Sequence, residues 1–204
     1  MHIFPGYARL PRVVLASRSP RRAQLLREMG LSFTAEPADV QEEALSIGVD
    51  PYRLPLLLAQ AKAQTLCKRL SPEGQSLLVI AADTVVIQGG ELLDKPRNAH
   101  EAREHLLRLS GGTHHVKSGV ALVCGQYHAE IEAVSEVTFK QLVPSEISYY
   151  IENFSPYDKA GGYGIQEWIG LTCIEAVKGS YTNVMGLPTQ ALHKELLAFA
   201  SVSA

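Results

Sequence analysis

The sequence predicts an α/β fold, a single domain in which helices flank a mixed β-sheet. Apolar runs of strand length alternate along the chain with segments of helical periodicity. Pairs of strand-like runs also flank short turns at Gly89-Gly90 and Gly125-Gln126, as in antiparallel hairpins. Hairpins inside an alternating pattern favour a mixed sheet over a purely parallel one. No linker interrupts the 204 residues, so we predict one domain over residues 1–204, with 1–11 as a short N-terminal extension.

Composition limits the classes of partner. Hydrophobic residues make up 46% and charged residues 20% of the chain, a balance that supports a sizeable core. The net charge of −2 argues against a nucleic-acid partner, and no apolar stretch is long enough for a signal peptide or a membrane span. Cys67, Cys124 and Cys173 form no CxxC pair, and their odd number argues against a disulfide framework. We therefore expect a cytoplasmic protein that binds neither membrane nor nucleic acid.

The first predicted elements form a strand, a loop and a helix. A strand at Val13–Ala16 leads into Ser17-Arg18-Ser19, and a helix follows from Pro20 until Gly30 ends it. Serine is a preferred N-cap, proline a preferred first helical residue and glycine a preferred terminator. The segment contains three arginines, Arg18, Arg21 and Arg22. A helix N-terminus of this composition is suited to bind phosphate, although a capped surface helix with solvated arginines has the same pattern.

Two acidic residues lie in the next polar segment. After a short strand at Leu31–Ala35, residues 36–50 are polar and acidic and are predicted to form a loop. Glu42 and Glu43 in this loop either make a solvated acidic turn or recruit a metal ion.

The following helix and strand carry two further candidates. The helix is predicted at Leu54–Leu70, with Lys62 in its middle, where a lysine ordinarily lies on a solvated face. A fully buried strand, Leu77–Ala82, is predicted to end at Asp83. Ligand sites in α/β folds lie at such strand ends. The Asp83 carboxylate could hold a divalent cation, act as a general base or cap a turn through Thr84.

The rest of the chain continues the alternation. Lys95 lies on a short loop before a proline, either ordered for function or simply solvated. The glycine-rich segment 155–170 contains Gln166, whose amide can pair with a base edge, although a flexible surface loop is the alternative.

The predicted elements after residue 83 are a hairpin of 85–87 and 91–93, a helix from Asn98 to about Leu109, strands at 114–124 and 127–139, a helix at Pro144–Asn153, a strand at Trp168–Val177 and a helix at Pro188–Phe199.

Several common motifs are missing. The sequence contains neither the GxxxxGK[ST] phosphate loop nor the GxGxxG dinucleotide motif. It also lacks HExxH, and its seven histidines show no paired spacing on one helical face, which argues against a zinc site.

Six motifs follow one another along the chain and read SRSPRR, AADTVV, LDKPRNAHEA, LSGGTHHV, DKAGGYGIQ and GSYTNVMGLP. In this order they resemble the Maf nucleotide pyrophosphatases, from about residue 13 to 197. The resemblance implies an elongated, twisted mixed sheet similar to that of inosine triphosphate pyrophosphatases. It also implies hydrolysis of a nucleoside triphosphate to the monophosphate and pyrophosphate with Mg²⁺ or Mn²⁺, by a cytoplasmic homodimer. The form DKAGxYGIQ resembles the subgroup that acts on dTTP and UTP.

The resemblance also implies roles for individual residues. It makes Asp83 the proton acceptor and a metal ligand, with Glu42 as a second ligand. Gln41 departs from the family, which commonly has an aspartate there. The substrate-binding positions are Ser17, Arg21, Lys62, Thr84, Lys95 and Gln166, of which Arg21, Thr84 and Gln166 determine specificity.

Two other functions are compatible with these motifs. One is a non-catalytic regulator of septum formation that binds nucleotide, although the complete charged set argues against it. The other is the same hydrolysis with 7-methyl-GTP as substrate. The sequence also leaves open whether Asp83 serves as base or as metal ligand.

Overall fold

Helices and strands alternate along the chain in a computed structural model that describes residues 3–71 and 76–202. The strands are β1 (Arg12–Leu15), β2 (Thr34–Ala35), β3 (Leu77–Gln88), β4 (Glu91–Leu93), β5 (Thr113–Cys124), β6 (Tyr127–Phe139) and β7 (Ile174–Lys178). The helices are α1 (Pro20–Glu28), α2 (Glu42–Ser46), α3 (Leu54–Leu70), α4 (Ala99–Leu109), α5 (Pro144–Phe154), α6 (Trp168–Cys173), α7 (Tyr181–Val184) and α8 (Thr189–Val202). None of the helices in these described ranges is long and apolar enough to cross a membrane.

The sheet is mixed, which confirms the predicted fold class. In the described residues its strand order is β2-β1-β3-β5-β6-β7, and β4 pairs with β3 beside this path. Strand β1 runs parallel to β2 and β3, with Leu15 opposite Ile80. The β3–β4 and β6–β7 pairs are antiparallel. The β3–β4 turn is Gly89-Gly90, whose φ angles of +60° and +85° suit the tight turn that glycine favours.

The chain divides into two compact units. The first comprises the described parts of Met1–Asp83, Ser118–Glu132 and Gly186–Ala204. The second comprises Thr84–Lys117 and Ala133–Met185. Strands β3, β5 and β6 contribute residues to both units. A single domain over residues 1–204 stays a prediction.

Helix α3 packs closely on the sheet of the first unit. Its small residues Ala59 and Ala63 are fully buried against Val14 of β1 and Val79 of β3. Gly119 of β5 faces the start of the helix, where a Cβ would lie 2.6 Å from the Pro55 carbonyl carbon and closer still to Leu56. The absence of a side chain at Gly119 therefore lets α3 approach β5, and α3 carries Lys62.

The second unit has an aromatic core. Phe139, Tyr150 and Tyr163 are buried in it, and the Tyr163 hydroxyl lies 2.7 Å from His114 Nε2. Burial lowers the pKa of His114 to about 3, so this imidazole stays neutral at physiological pH.

Two predictions in the first half of the chain are wrong. Strand β3 does not end before Asp83 but continues to Gln88, because Val86 is buried and pairs with Leu93 of β4. Asp83 therefore lies within a strand. The loop predicted at 36–50 contains α2, whose first turn holds two glutamates, a charge that favours a helix N-terminus.

A third prediction, the strand at Trp168–Val177, is also wrong in its first half. Trp168–Cys173 is helical and only Ile174–Lys178 is a strand. Gly170 lies against the Ile165 carbonyl, and its N–H donates to Glu167 O at 3.0 Å, which closes a helical turn. Hydrophobic periodicity alone does not separate so short an apolar run into helix and strand.

Replacing Gly119 with alanine should lower the free energy of unfolding. The added methyl group would collide with the backbone at the start of α3, and overpacking of this kind costs about 1–3 kcal/mol. Urea denaturation followed by circular dichroism measures the change.

Gly112→Ala is the matched control. An added Cβ at Gly112 meets its nearest neighbour, Gln88 Nε2, at 3.4 Å, an ordinary contact. Equal losses in the two variants would contradict the close approach of α3 to β5.

Candidate active site

The N-terminus of α1 is capped as the sequence predicts. Ser19 Oγ accepts a hydrogen bond from Arg22 N at 3.4 Å, and Pro20 is the first helical residue. Ser17 Oγ accepts from Ser19 N at 3.1 Å and from Arg22 Nη1 at 3.4 Å. Within the described part of the chain, the Ser17 hydroxyl accepts these two hydrogen bonds and donates none. A hydroxyl has one proton and two lone pairs, so Ser17 retains its proton for an acceptor such as a phosphate oxygen.

Arg22 links this helix N-terminus to the acidic residues of the first unit. Its Nε donates to the Gly186 carbonyl at 2.8 Å. Burial lowers the pKa of Arg22, and the charge of Arg21 lowers it further, whereas Asp83 and Glu42 raise it. The guanidinium is therefore close enough to both carboxylates to interact with them. The sequence placed Arg22 among the basic residues of this segment but did not assign it to the site.

Lys62 is buried, so its helical position is not a solvated face. Only 8% of the residue is exposed, and Nζ lies 2.6 Å from Asp83 Oδ1 and 2.9 Å from Glu42 Oε1. An ammonium group is costly to bury unless opposite charges and hydrogen bonds compensate it. Asp83 and Glu42 supply that compensation, and the three residues are called the Lys62 cluster below.

Each member of the Lys62 cluster comes from a different element. Lys62 is on α3, Asp83 is on β3 and Glu42 opens α2. Gln41 is the N-cap of α2 and makes no side-chain hydrogen bond to it. An aspartate, unlike a glutamine, is a preferred N-cap.

The other three predicted substrate-binding residues belong to the second unit. Thr84 follows Asp83 on β3 and is half-buried. Lys95 is exposed on the loop after β4. The Asp94 carbonyl beside it accepts a hydrogen bond from Gly161 N at 3.1 Å, which joins this loop to the glycine-rich segment containing Gln166.

An ion pair orders the glycine-rich segment. Lys159 is only 7% exposed, and its Nζ lies 2.7 Å from Asp158 Oδ1 and 3.0 Å from Glu167 Oε1. The Tyr150 hydroxyl donates to Glu167 Oε2 and accepts from Gly164 N, the latter at 2.9 Å. Burial and Glu167 raise the pKa of Tyr150, so the hydroxyl keeps the proton that it donates. Sequence reasoning missed Glu167 and Tyr150, because no spacing motif connects helix α5 to this segment.

Gln166 is half-buried in this ordered segment. Its Oε1 atom is buried, and none of the described residues donates a hydrogen bond to it. A buried amide oxygen of this kind is an acceptor available to a donor on a ligand.

The Lys62 cluster also has the chemistry to hold a divalent cation. Mg²⁺ is commonly held by one or two carboxylates together with substrate phosphates. Asp83 and Glu42 are two carboxylates that already converge on one positive group, so this donor set fits Mg²⁺ or Mn²⁺. In residues 3–71 and 76–202, no group of three or more His, Cys, Asp and Glu side chains is placed to hold a metal ion.

Together, the capped helix, basic side chains and paired carboxylates define an α/β protein with a candidate anion-binding site. The sequence profile of the Maf-like protein family matches residues 12–199, and the chain belongs to this family. This finding confirms the resemblance seen in the motifs.

Two bacterial relatives match the sequence over nearly the whole chain. A dTTP/UTP pyrophosphatase of Porphyromonas gingivalis is 44% identical over 188 residues, which are 92% of this chain and 94% of the relative. A dTTP/UTP pyrophosphatase of Phocaeicola vulgatus is 42% identical over 91% of this chain and 94% of its own. Among solved structures, a HAM1 protein from Coxiella burnetii is 15% identical, with a TM-score of 0.42 over 64% of this chain and 73% of its own.

Replacing Lys62 with methionine should destabilise the protein. The variant leaves Asp83 without its partner, and breaking a largely buried pair costs about 2 kcal/mol or more. The double variant Lys62→Met/Asp83→Asn removes both charges and should recover most of the loss. Urea denaturation of the three proteins gives the comparison.

Lys178→Met is the matched control. The Lys178–Glu136 pair is solvent-exposed, and such pairs contribute at most about 1 kcal/mol. If the double variant proved as unstable as Lys62→Met alone, Asp83 would not be the partner that Lys62 stabilises.

Proposed function

We propose that this chain hydrolyses dTTP and UTP to the nucleoside monophosphate and pyrophosphate. The names of its relatives support this substrate class. The main structural support for the proposal is the Lys62 cluster. It places two carboxylates and an ammonium group in the same unit as the capped N-terminus of α1. A site for this reaction needs both cationic groups for phosphate and carboxylates for water or metal.

In this proposal, hydrogen-bond donors and positively charged side chains bind the phosphate groups of the nucleotide. Ser17 donates its hydroxyl proton to a phosphate oxygen, since both of its lone pairs already accept hydrogen bonds. The N–H groups and dipole of α1 favour negative charge at the same end of the helix. The resemblance assigns Arg21, Lys62 and Lys95 to offset the charge of the triphosphate.

Asp83 is assigned the role of proton acceptor for the attacking water. The carboxylate accepts the proton of the water as it adds to the α-phosphorus, and the bond from that phosphorus to the bridging oxygen breaks. Pyrophosphate leaves with the electron pair of that bond, and Lys62 and the arginines stabilise its charge. Positioning and electrostatic stabilisation account for most of the catalysis in phosphoryl transfer.

Glu42 would hold the Mg²⁺ or Mn²⁺ ion that the resemblance implies, together with Asp83 in the alternative in which Asp83 is a metal ligand and not the base. When bound, a divalent cation offsets phosphate charge and polarises the phosphoryl oxygens. Lys62 holds these two carboxylates together before any nucleotide binds.

Base recognition is assigned to Gln166. Its Oε1 atom accepts the N3–H proton, which uracil and thymine both present. Because the two bases share this edge, the assignment predicts that UTP and dTTP are used alike. Thr84 and Arg21 are the further specificity positions.

The proposal is tested by the products released from a nucleotide panel. The protein is incubated with Mg²⁺ or Mn²⁺ and dTTP, UTP, CTP, ITP, 7-methyl-GTP, ATP or GTP, and both products are quantified. We expect equal amounts of pyrophosphate and monophosphate, mostly from dTTP and UTP. Release of orthophosphate, preference for 7-methyl-GTP or no turnover with any nucleotide would each overturn the proposal.

Replacing Asp83 with asparagine should lower kcat for UTP by about 10³-fold while UTP still binds. Removal of a general base typically costs about 10²–10⁴-fold. Turnover and equilibrium binding of UTP are measured on the same preparation.

Asp39→Asn is the matched control, because Asp39 is exposed and has no assigned role. Near-full activity of Asp83→Asn would remove Asp83 from the mechanism.

A further inference from the structure

The amide of Gln166 lies beside a carboxylate. Gly164 has no side chain, and the position that its Cβ would take is 3.0 Å from Gln166 Nε2 and 3.0 Å from Glu167 Oε2. The amino end of the amide and a carboxylate oxygen therefore flank the same point. Gln166 Oε1 is buried and accepts no hydrogen bond from any described residue.

The carboxylate of Glu167 is fixed from several sides. Lys159 Nζ lies 3.0 Å from its Oε1 atom, and the Tyr150 hydroxyl donates to its Oε2 atom. The backbone N–H of Glu167 donates to the Gly164 carbonyl at 3.0 Å. Tyr150 in turn accepts from Gly164 N, so Gly164 and Glu167 are held together through both backbone and side chain.

We propose that Glu167 is a specificity-determining positioning residue that sets which end of the Gln166 amide faces the base. A half-turn of the amide would bring Oε1, which carries partial negative charge, beside the Glu167 carboxylate. Coulomb repulsion in a partly buried site disfavours that orientation. The amino end stays on the carboxylate side, and Oε1 remains the group offered to the ligand. This inference rests on the proposed function, in which Gln166 recognises the base.

A fixed amide oxygen discriminates between pyrimidines. Uracil and thymine present a donor at N3, whereas N3 of cytosine is an acceptor. Cytosine would therefore place a lone pair against Oε1 and leave two acceptors unsatisfied. Sites built to hydrogen-bond a substrate group reject an analogue that lacks it strongly. Glu167 thus selects UTP and dTTP against CTP without touching the base.

The test is the ratio of kcat/KM for UTP to that for CTP in the variant Glu167→Gln. Glutamine has nearly the shape of glutamate and can still accept from Tyr150, but it has no charge to orient the amide. We expect this ratio to fall at least about tenfold. The ratio of dTTP to UTP should not change, because both bases present the same edge. A variant that only loosened the loop would lower kcat/KM for UTP and CTP together.

Two further variants show whether a loss of selectivity comes from the orientation of the Gln166 amide or from a folding defect. Lys159→Met breaks the ion pair but keeps the Glu167 carboxylate, so the UTP to CTP ratio should be retained. Lys159→Met/Glu167→Gln removes both charges of the buried Lys159–Glu167 pair and should show the loss of selectivity. Glu152→Gln, an exposed change on α5, is the neutral control. Thermal melting confirms that each variant is folded.

The outcomes distinguish this inference from the proposed function. A wild-type protein with no turnover of UTP or dTTP overturns the proposed function, and the inference with it. Turnover of UTP and dTTP with an unchanged UTP to CTP ratio in both variants that carry Glu167→Gln overturns the inference alone. Equal use of UTP and CTP by the wild-type protein overturns it as well.

Discussion

A buried ammonium group between two carboxylates determines how the first unit is built. Lys62 can be buried on α3 only because Asp83 and Glu42 compensate its charge. That pairing requires α3 to lie close to the strand that carries Asp83. The small residues Ala59 and Ala63 and the bare backbone of Gly119 allow this approach. Packing and electrostatics therefore fix the same geometry, and the proposed hydrolysis uses the charged groups that result.

The second unit also contains a buried lysine that is paired with a carboxylate. Lys159 is also buried, and its partner Glu167 closes the glycine-rich segment against α5 through Tyr150. In the first unit the buried pair is proposed to supply groups that act on phosphates and water. In the second, the buried pair is proposed to set the orientation of the neighbouring Gln166 amide. In both units a charge that is costly to bury has a partner that fixes its position.

Local sequence signals predicted most of the fold. Ser19, Pro20 and the Gly89-Gly90 turn lie where their backbone preferences place them. Predictions from these local signals were wrong where contacts between distant parts of the chain determine the secondary structure. The extension of β3 past Asp83 depends on pairing with β4, and the helix at Trp168–Cys173 depends on a close approach to Ile165. The resemblance suggested the members of the Lys62 cluster, but their pairing, like that of Glu167 with Tyr150, joins elements far apart in sequence. The roles of the site residues stay predictions.

The most direct test of the proposed mechanism is the position of bond cleavage. UTP is hydrolysed by the wild-type protein in ¹⁸O-labelled water, and the products are examined by mass spectrometry. Attack of water on the α-phosphorus, with Asp83 as proton acceptor, predicts that one ¹⁸O atom enters UMP and none enters pyrophosphate. Label in pyrophosphate, or release of labelled orthophosphate, would show attack at another phosphorus and contradict the account.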